Sequence, residues 1–345
     1  VVWIFAPALR LRSATGVLRI LLNIWNIGSS LLFAMILLGL GAVRVDIMYA
    51  STAQSQGLIA SLLSAIWRLP LIVDYGDPSF ARDTGMVRKI GSALERISLN
   101  RSDAVISSDP VITRHIRSNC AKTPTFLPNG YDATLFPPPA CRSQRSVANR
   151  FVTFVGKIDS SVYRLDILLL ASKLVIDRIP EARFRLIGAG PDIGRLEQLA
   201  SELAVRQSID FVGFVPHQNV ASWICESEVC VHMTNDTCLG LKVIEYMACA
   251  KPTVIAASWW DKYEYFIKNG DNCLTVPPEP EALSSAILRL INDGDLATKL
   301  GRNAGETVRA CSWDSIAHQM LQVIEDVLQK HRKPQIAGFR RYFCI

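Results

Sequence analysis

The residues best suited to chemistry in this chain lie in one run, Gly240-Leu241-Lys242-Val243-Ile244-Glu245-Tyr246-Met247-Ala248-Cys249-Ala250-Lys251-Pro252. The pattern predicts a loop feeding a helix whose first turns carry Lys242 and Glu245. Amides at a helix start are unpaired donors with partial positive charge, which suits a phosphate. Glu245 lies one turn further on, within reach of hydroxyls attached to that phosphate. A carboxylate accepts two hydroxyl protons at once, as in ribose recognition. The same spacing also fits an amphipathic helix on which Lys242 and Glu245 are merely solvated.

Other polar residues carry weaker signals. Asp74 and Asp77, in the run VDYGDP, fall at the end of a predicted strand. They are placed either to meet hydroxyls of a ligand or to cap a turn. His217 reads as a loop or helix-start residue and His232 as a strand residue. Gly188-Ala189-Gly190 with Gly194 departs from the G-x-G-x-x-G spacing of a dinucleotide turn. Asp293-Gly294-Asp295 mimics a metal-binding DxD, but it falls between two predicted helices, where an aspartate caps the next one. The nine cysteines show no CxxC pair and no Cys/His cluster, which predicts free thiols in a reducing compartment and no disulfide framework.

The elements that must position these groups follow from periodicity. From residue 45 onward short apolar runs (DIMYA, PLIVDYGD, DAVISS, FVTFVGKI, FRLIGAG, IDFVGFV, VCVHMT, PTVIAA, NCLTV) alternate with longer amphipathic ones. Predicted helices include Leu165 to Ile179 and Asp192 to Val205. Such alternation implies βαβ units and parallel sheets. The chain is too long for one ordinary core, and Pro137-Pro138-Pro139 with the polar run after it marks a linker. The α/β reading is therefore two doubly wound Rossmann-like domains, with ligands outside the carboxyl ends of the strands and between the domains.

Charge is unevenly spread. Residues 1–150 carry 16 basic and 8 acidic side chains, a net +8, and residues 151–345 carry 21 and 23, a net −2. A basic half suits an anionic partner such as a phosphate-bearing substrate or an acidic lipid surface. No aromatic-basic interleaving or zinc-finger spacing supports nucleic acid. Residues 20–43 are apolar and uncharged, yet Asn23, Asn26, Ser29, Ser30 and three glycines dilute them. We read them as a buried or membrane-facing helix rather than a span.

The order of motifs resembles that of the retaining glycosyltransferase family 4. The run from Gly240 to Pro252 is similar to the family's G-L-x-x-x-E-x-M-A-x-G-x-P signature. FVGKID, LIGAGP, FVGFVP, NGDNCLTVPPEPEAL and Ser312-Trp313 follow the family's order, and Pro128-Asn129-Gly130-Tyr131-Asp132 resembles its P-N-G-x-D turn. The resemblance spans most of residues 45–328. It implies a GT-B fold, with two Rossmann-like domains facing across a cleft: 1–140 as an incomplete acceptor-side domain, 148–312 as the donor domain, 313–330 as a helix packing back, and 331–345 as a basic tail. It implies that Glu245 binds ribose and that the amides of Gly240 and Leu241 meet the donor phosphates. Gly156, Gly188 and Lys242 join them in the donor site. Lys157 and Arg164 (or Tyr163) stand at the positions of the cations that neutralise the diphosphate, stabilising charge on the leaving group. On the acceptor side it leaves Asp74, Asp77 and Asn129.

This chain also departs from the pattern. The first Glu of the family's E-x7-E motif falls at Thr237, with Asp236 beside it as a stand-in. The acceptor-domain His is replaced by the run Tyr49-Ala50-Ser51-Thr52, and the usual opening strand and glycine-rich loop are not evident in VVWIFAPALR. The resulting expectation is a metal-independent retaining hexosyltransferase, with no cofactor beyond its nucleoside diphosphate sugar. It would act on a glycan or lipid-linked acceptor, in the cytoplasm, peripheral to the cytoplasmic membrane face. The alternative is a non-catalytic nucleotide-sugar-binding or membrane-associated partner protein of the same fold.

Overall fold

A computed structural model describes residues 2–3, 45–53, 55–76, 85–136, 150–234, 239–257, 266–331 and 343–344. Contacts divide the chain into two compact units, Val1–Pro128 with Ala317–Ile345, and Asn129–Ile316. The segment 20–43, Asp77, Asp236, Thr237 and most of the basic tail lie outside the described residues. Among those described, no helix is long and apolar enough to cross a membrane.

The first unit contains β1 (Val2–Trp3), β2 (Met48–Ala50), α1 (Ser55–Trp67), β3 (Leu71–Tyr75), α2 (Gly85–Arg101), β4 (Ala104–Ser107), α3 (Pro110–Asn119) and β5 (Thr125–Phe126). The C-terminal α10 (Trp313–His331) and β12 (Phe343–Cys344) end the chain. All pairings are parallel, in the order β1-β12-β2-β3-β4-β5. β3 is apolar on both faces because both are covered. Leu71, Val73 and Tyr75 pack with Met48, Ile59, Leu63 and Leu99 on one side. Ile72 packs with Ile47, Ile106, Leu127, Val327 and Leu328 on the other. Start signals are local: Asp109 accepts from the amides of Val111 and Ile112 at 2.7 and 3.4 Å, and Pro110 opens α3.

The second unit contains β6 (Arg150–Val155), α4 (Leu165–Ile176), β7 (Ala182–Ile187), α5 (Ile193–Glu202), β8 (Ile209–Gly213), α6 (His217–Cys225), β9 (Val229–Met233), α7 (Leu241–Ala248), β10 (Thr253–Ala256), β11 (Leu274–Val276), α8 (Pro280–Asn292) and α9 (Gly294–Val308). Its sheet runs β11-β10-β9-β6-β7-β8, again all parallel. The α/β, doubly wound reading therefore holds in both units. Asp293 accepts from the Leu296 amide at 2.9 Å, so the DxD look-alike is a helix cap. Five described cysteines are free thiols. Cys225 at the end of α6 is disulfide-bonded, which corrects the expectation of none.

Two glycines let neighbouring strand ends approach backbone to backbone. Gly188 has φ +143°, and a Cβ there would sit 1.8 Å from the Gly156 carbonyl oxygen; a Cβ on Gly190 would sit 2.0 Å from that of Ile158. Gly194, inside α5, faces open space. We expect Gly188→Ala to lower stability by about 3 kcal/mol or more, read as a fall in the urea midpoint. Gly194→Ala should be neutral or stabilise by up to about 1 kcal/mol.

Candidate functional site

In the second unit the carboxyl ends of β6, β7 and β9 come side by side and carry Gly156, Gly188 and Thr234. α7 starts at this edge. Gly240 is its N-cap, and among the described residues no side chain accepts from the amides of its first turn. The helix is held to the sheet by Tyr246, fully buried, whose hydroxyl accepts from the Val155 amide at 2.7 Å. That bond fixes α7 against the strand whose next residue is Gly156.

Glu245 is not a solvated surface acid; it is 6% exposed. Its Oε2 accepts from Lys242 Nζ at 2.7 Å and its Oε1 pairs with His217 Nε2 at 2.9 Å. A carboxylate has about four lone-pair positions, so roughly two remain for hydroxyls of a ligand. Lys242 is thus turned onto Glu245. His217 opens α6 and stacks at an angle on buried Phe136, ring centroids 5.3 Å apart. Asp132 of the P-N-G-Y-D run lies near enough for His217 to help hold its carboxyl low, after the larger effect of bonds from Thr134. That run is itself anchored: the Tyr131 amide donates to the Cys311 carbonyl and the Trp313 amide to that of Tyr131, both at 2.9 Å. A Cβ on Gly130 would meet the Trp313 ring at 2.7 Å.

Beside the start of α7 lies His232, on β9 as its sequence position implies. It is 1% exposed, and among the described residues neither ring nitrogen has a hydrogen-bond partner. Its ring abuts Gly240, where a Cβ would be 2.8 Å from Cε1, and stands edge-on to Tyr163 at 6.0 Å. Burial holds its pKa down at about 4. Tyr163 also meets Phe154, ring centroids 5.2 Å apart. Tyr163, rather than Arg164, therefore lies against the Gly156 end of β6.

The two proposed cations already have anionic neighbours. Lys157 Nζ is 2.5 Å from Asp159 Oδ2, and this contact with the Ser161 hydroxyl and amide pulls the Asp159 carboxyl down to about 2. Arg164 grips Asp166 through Nε at 3.0 Å and a terminal nitrogen at 2.9 Å. Both cations are exposed. In the first unit Asp74 accepts from the Tyr49 hydroxyl. Burial raises its pKa, and the tyrosine bond offsets this only in part. Asn129 is exposed and by contacts belongs to the second unit. Among the described residues no group of three or more His, Cys, Asp or Glu is arranged to hold a metal ion.

The part played by His217 is not legible in the sequence. It sits at a helix start as expected, but its partner is 28 residues away, and nothing in local spacing joins them.

Comparison with known proteins bears on the same segment. Residues 149–293 match the family model described as "Glycosyl transferases group 1". That segment resembles a glycosyl transferases group 1 domain. Among similar proteins, the phosphatidyl-myo-inositol mannosyltransferase of Mycobacterium tuberculosis (strain H37Rv) is 26% identical over 218 residues, covering 61% of this chain and 56% of the relative. The chain thus matches little more than half the length of that relative. An uncharacterised glycosyltransferase of Methanocaldococcus jannaschii is 23% identical over 308 residues, covering 89% of this chain and 80% of the relative. Among solved structures, Anabaena HepE in complex with UDP superposes with a TM-score of 0.72 at 18% identity, covering 87% of this chain and 82% of its own. Sucrose-phosphate synthase from Thermosynechococcus elongatus gives 0.70 at 24%, covering 93% and 83%. The fold is thus of the GT-B class, and the segment matched by the family model holds β6 to β11 with α7 among them.

Two outcomes test this geometry. Above its ordinary pKa of 6.5 His232 is neutral folded or unfolded. As pH falls towards 4 the unfolded chain takes the proton first, so stability is lost across that window. The loss is roughly 3 kcal/mol, and urea midpoints of His232→Leu should fall less steeply across the same range. At neutral pH, His217→Ala should cost about 1–3 kcal/mol by taking one of two donors from a buried carboxylate. His217→Gln, which can still donate, should cost less.

Proposed function

We propose that the chain is a glycosyltransferase that moves a hexosyl group from a nucleoside diphosphate sugar to a glycan or lipid-linked saccharide. The observation that carries this reading is Glu245, buried and held by Lys242 and His217, one turn into a helix with uncapped first amides, within a group 1 domain. The amides of Gly240 and Leu241 take the donor phosphates, and Glu245 takes the ribose hydroxyls with its two remaining lone-pair positions. Gly156 and Gly188, bare of side chains, leave room for the donor at the strand ends.

Transfer proceeds with retention. The bond from the sugar's anomeric carbon to the diphosphate breaks, a bond to the acceptor oxygen forms on the same face, and the acceptor proton passes to the departing diphosphate. Charge grows on that leaving group, and Lys157, Arg164 and the helix amides stabilise it without a metal. For Lys157 and Arg164 this means turning from Asp159 and Asp166 towards the donor. Asp236 stands in for the missing first Glu, and Asp74, Asp77 and Asn129 serve the acceptor. HepE was solved with UDP, which supports a uridine donor as the first to try. Thr237 in place of that Glu favours the rival, a domain that binds donor without turnover.

The test is a thermal-shift panel of UDP-, GDP- and ADP-sugars on wild type, Glu245→Gln and Glu245→Ala, with product analysis on a saccharide acceptor. A stabilising shift with one base, reduced about tenfold or more in affinity in both folded variants, supports the donor site. Equal shifts in all three proteins remove Glu245 from it. A shift without any transferred sugar selects the non-catalytic reading.

A further inference from the structure

The outer face of α2 is built unlike that of an ordinary surface helix. Leu99 of α2 is fully buried in the core with Ile59 and Leu63 of α1, and Ser98 lies against Gly57, where a Cβ would be 3.0 Å from its own. Glu95, 2% exposed, pairs with His115 of α3 at 2.7 Å. Glu95, Ser98 and Leu99 therefore mark the inner face. At about 100° per residue, Met86, Ile90 and Ile97 fall within an arc of about 40° on the opposite side. They are 75%, 47% and 45% exposed. Lys89, Arg96 and Arg101 flank that stripe and are exposed too, and none of them forms an ion pair among the described residues. The one acid of α2, Glu95, is turned inward. On neighbouring α1, Leu62 and Ile66 are likewise exposed, 41% and 57%, one turn apart.

We infer that α2 is a docking face for an anionic lipid bilayer, lying in the interface plane with Met86, Ile90 and Ile97 inserted and Lys89, Arg96 and Arg101 on headgroup phosphates. An apolar stripe bordered by cations with no ion pair among the described residues is the chemistry such a surface takes. Each cation brought close to an anionic leaflet contributes about a fivefold gain in affinity. A second copy of the chain fits less well: two-fold self-pairing would set the same three cations against their own copies. The inference goes beyond the transfer reading, since docking needs neither a donor nor turnover.

The experiment is co-sedimentation of the full chain with phosphatidylglycerol–phosphatidylcholine vesicles and with pure phosphatidylcholine vesicles, at low and high salt. Binding should require the anionic lipid and weaken as salt rises. Ile90→Glu with Ile97→Glu, and separately Lys89→Glu with Arg96→Glu, should each weaken binding about tenfold or more. Lys299→Glu, on the other unit, should leave it unchanged. Far-UV circular dichroism and the donor thermal shift, unaltered in every variant, separate failure of docking from failure of the donor site. Equal binding to both vesicle types, or anionic binding indifferent to the α2 variants, overturns the inference. So does a wild-type oligomer that the α2 variants dissociate, since a second copy would then cover the face.

Discussion

A carboxylate drawn out of water has to be surrounded by donors, and at Glu245 this requirement organises the second unit. One donor comes from the same helix, a turn earlier, and costs the chain little. The other comes from His217 on α6, a separate crossover of the sheet. The pair therefore joins the beginnings of two helices. Phe136 beneath the imidazole carries the tie further, into the segment that follows the P-N-G-Y-D turn. Losing either donor would leave part of a charge buried without compensation, so the helix starts and the acid are held as one assembly.

The sheet edge under this assembly is made largely of backbone. With Gly188 against Gly156 and Gly190 against Ile158, the strand ends close to distances no side chain would permit. What side chains remain are flat rings: Tyr163 edge-on to both Phe154 and His232. His232 is the anomaly among them. A buried imidazole without a hydrogen-bond partner among the described residues is costly. It stands at the foot of α7, against Gly240.

Much of this was legible in the residues themselves, because the signals were short-range. Alternating periodicities marked the strands and helices of both units; α4 and α5 stop a little earlier than expected, at Ile176 and Glu202, before Pro180 and the turn at Ala204, whose φ is positive. The helix at Leu241 and the cap at Asp293 were equally readable, since each is encoded within four residues. What escaped was long-range or conformational. His217 meets Glu245 only once β9 has been laid beside β6. Lys157 and Arg164 each turn to a carboxylate two residues on, a choice of rotamer that no motif records.

The first unit is discontinuous: one face of its sheet is covered by Val327 and Leu328 of α10, and His331 reaches Asp103, whose other oxygen takes the Leu71 amide. The second unit is an uninterrupted stretch inserted within it. On a ribosome adding about 5–20 residues per second, the inserted unit is complete while Ile47, Ile72, Ile106 and Leu127 still wait for their cover. The half made first is thus finished last. For that interval its bare apolar face is a natural client for a chaperone, and any messenger cut short before Ala317 would yield a chain with one sound half and one adhesive one.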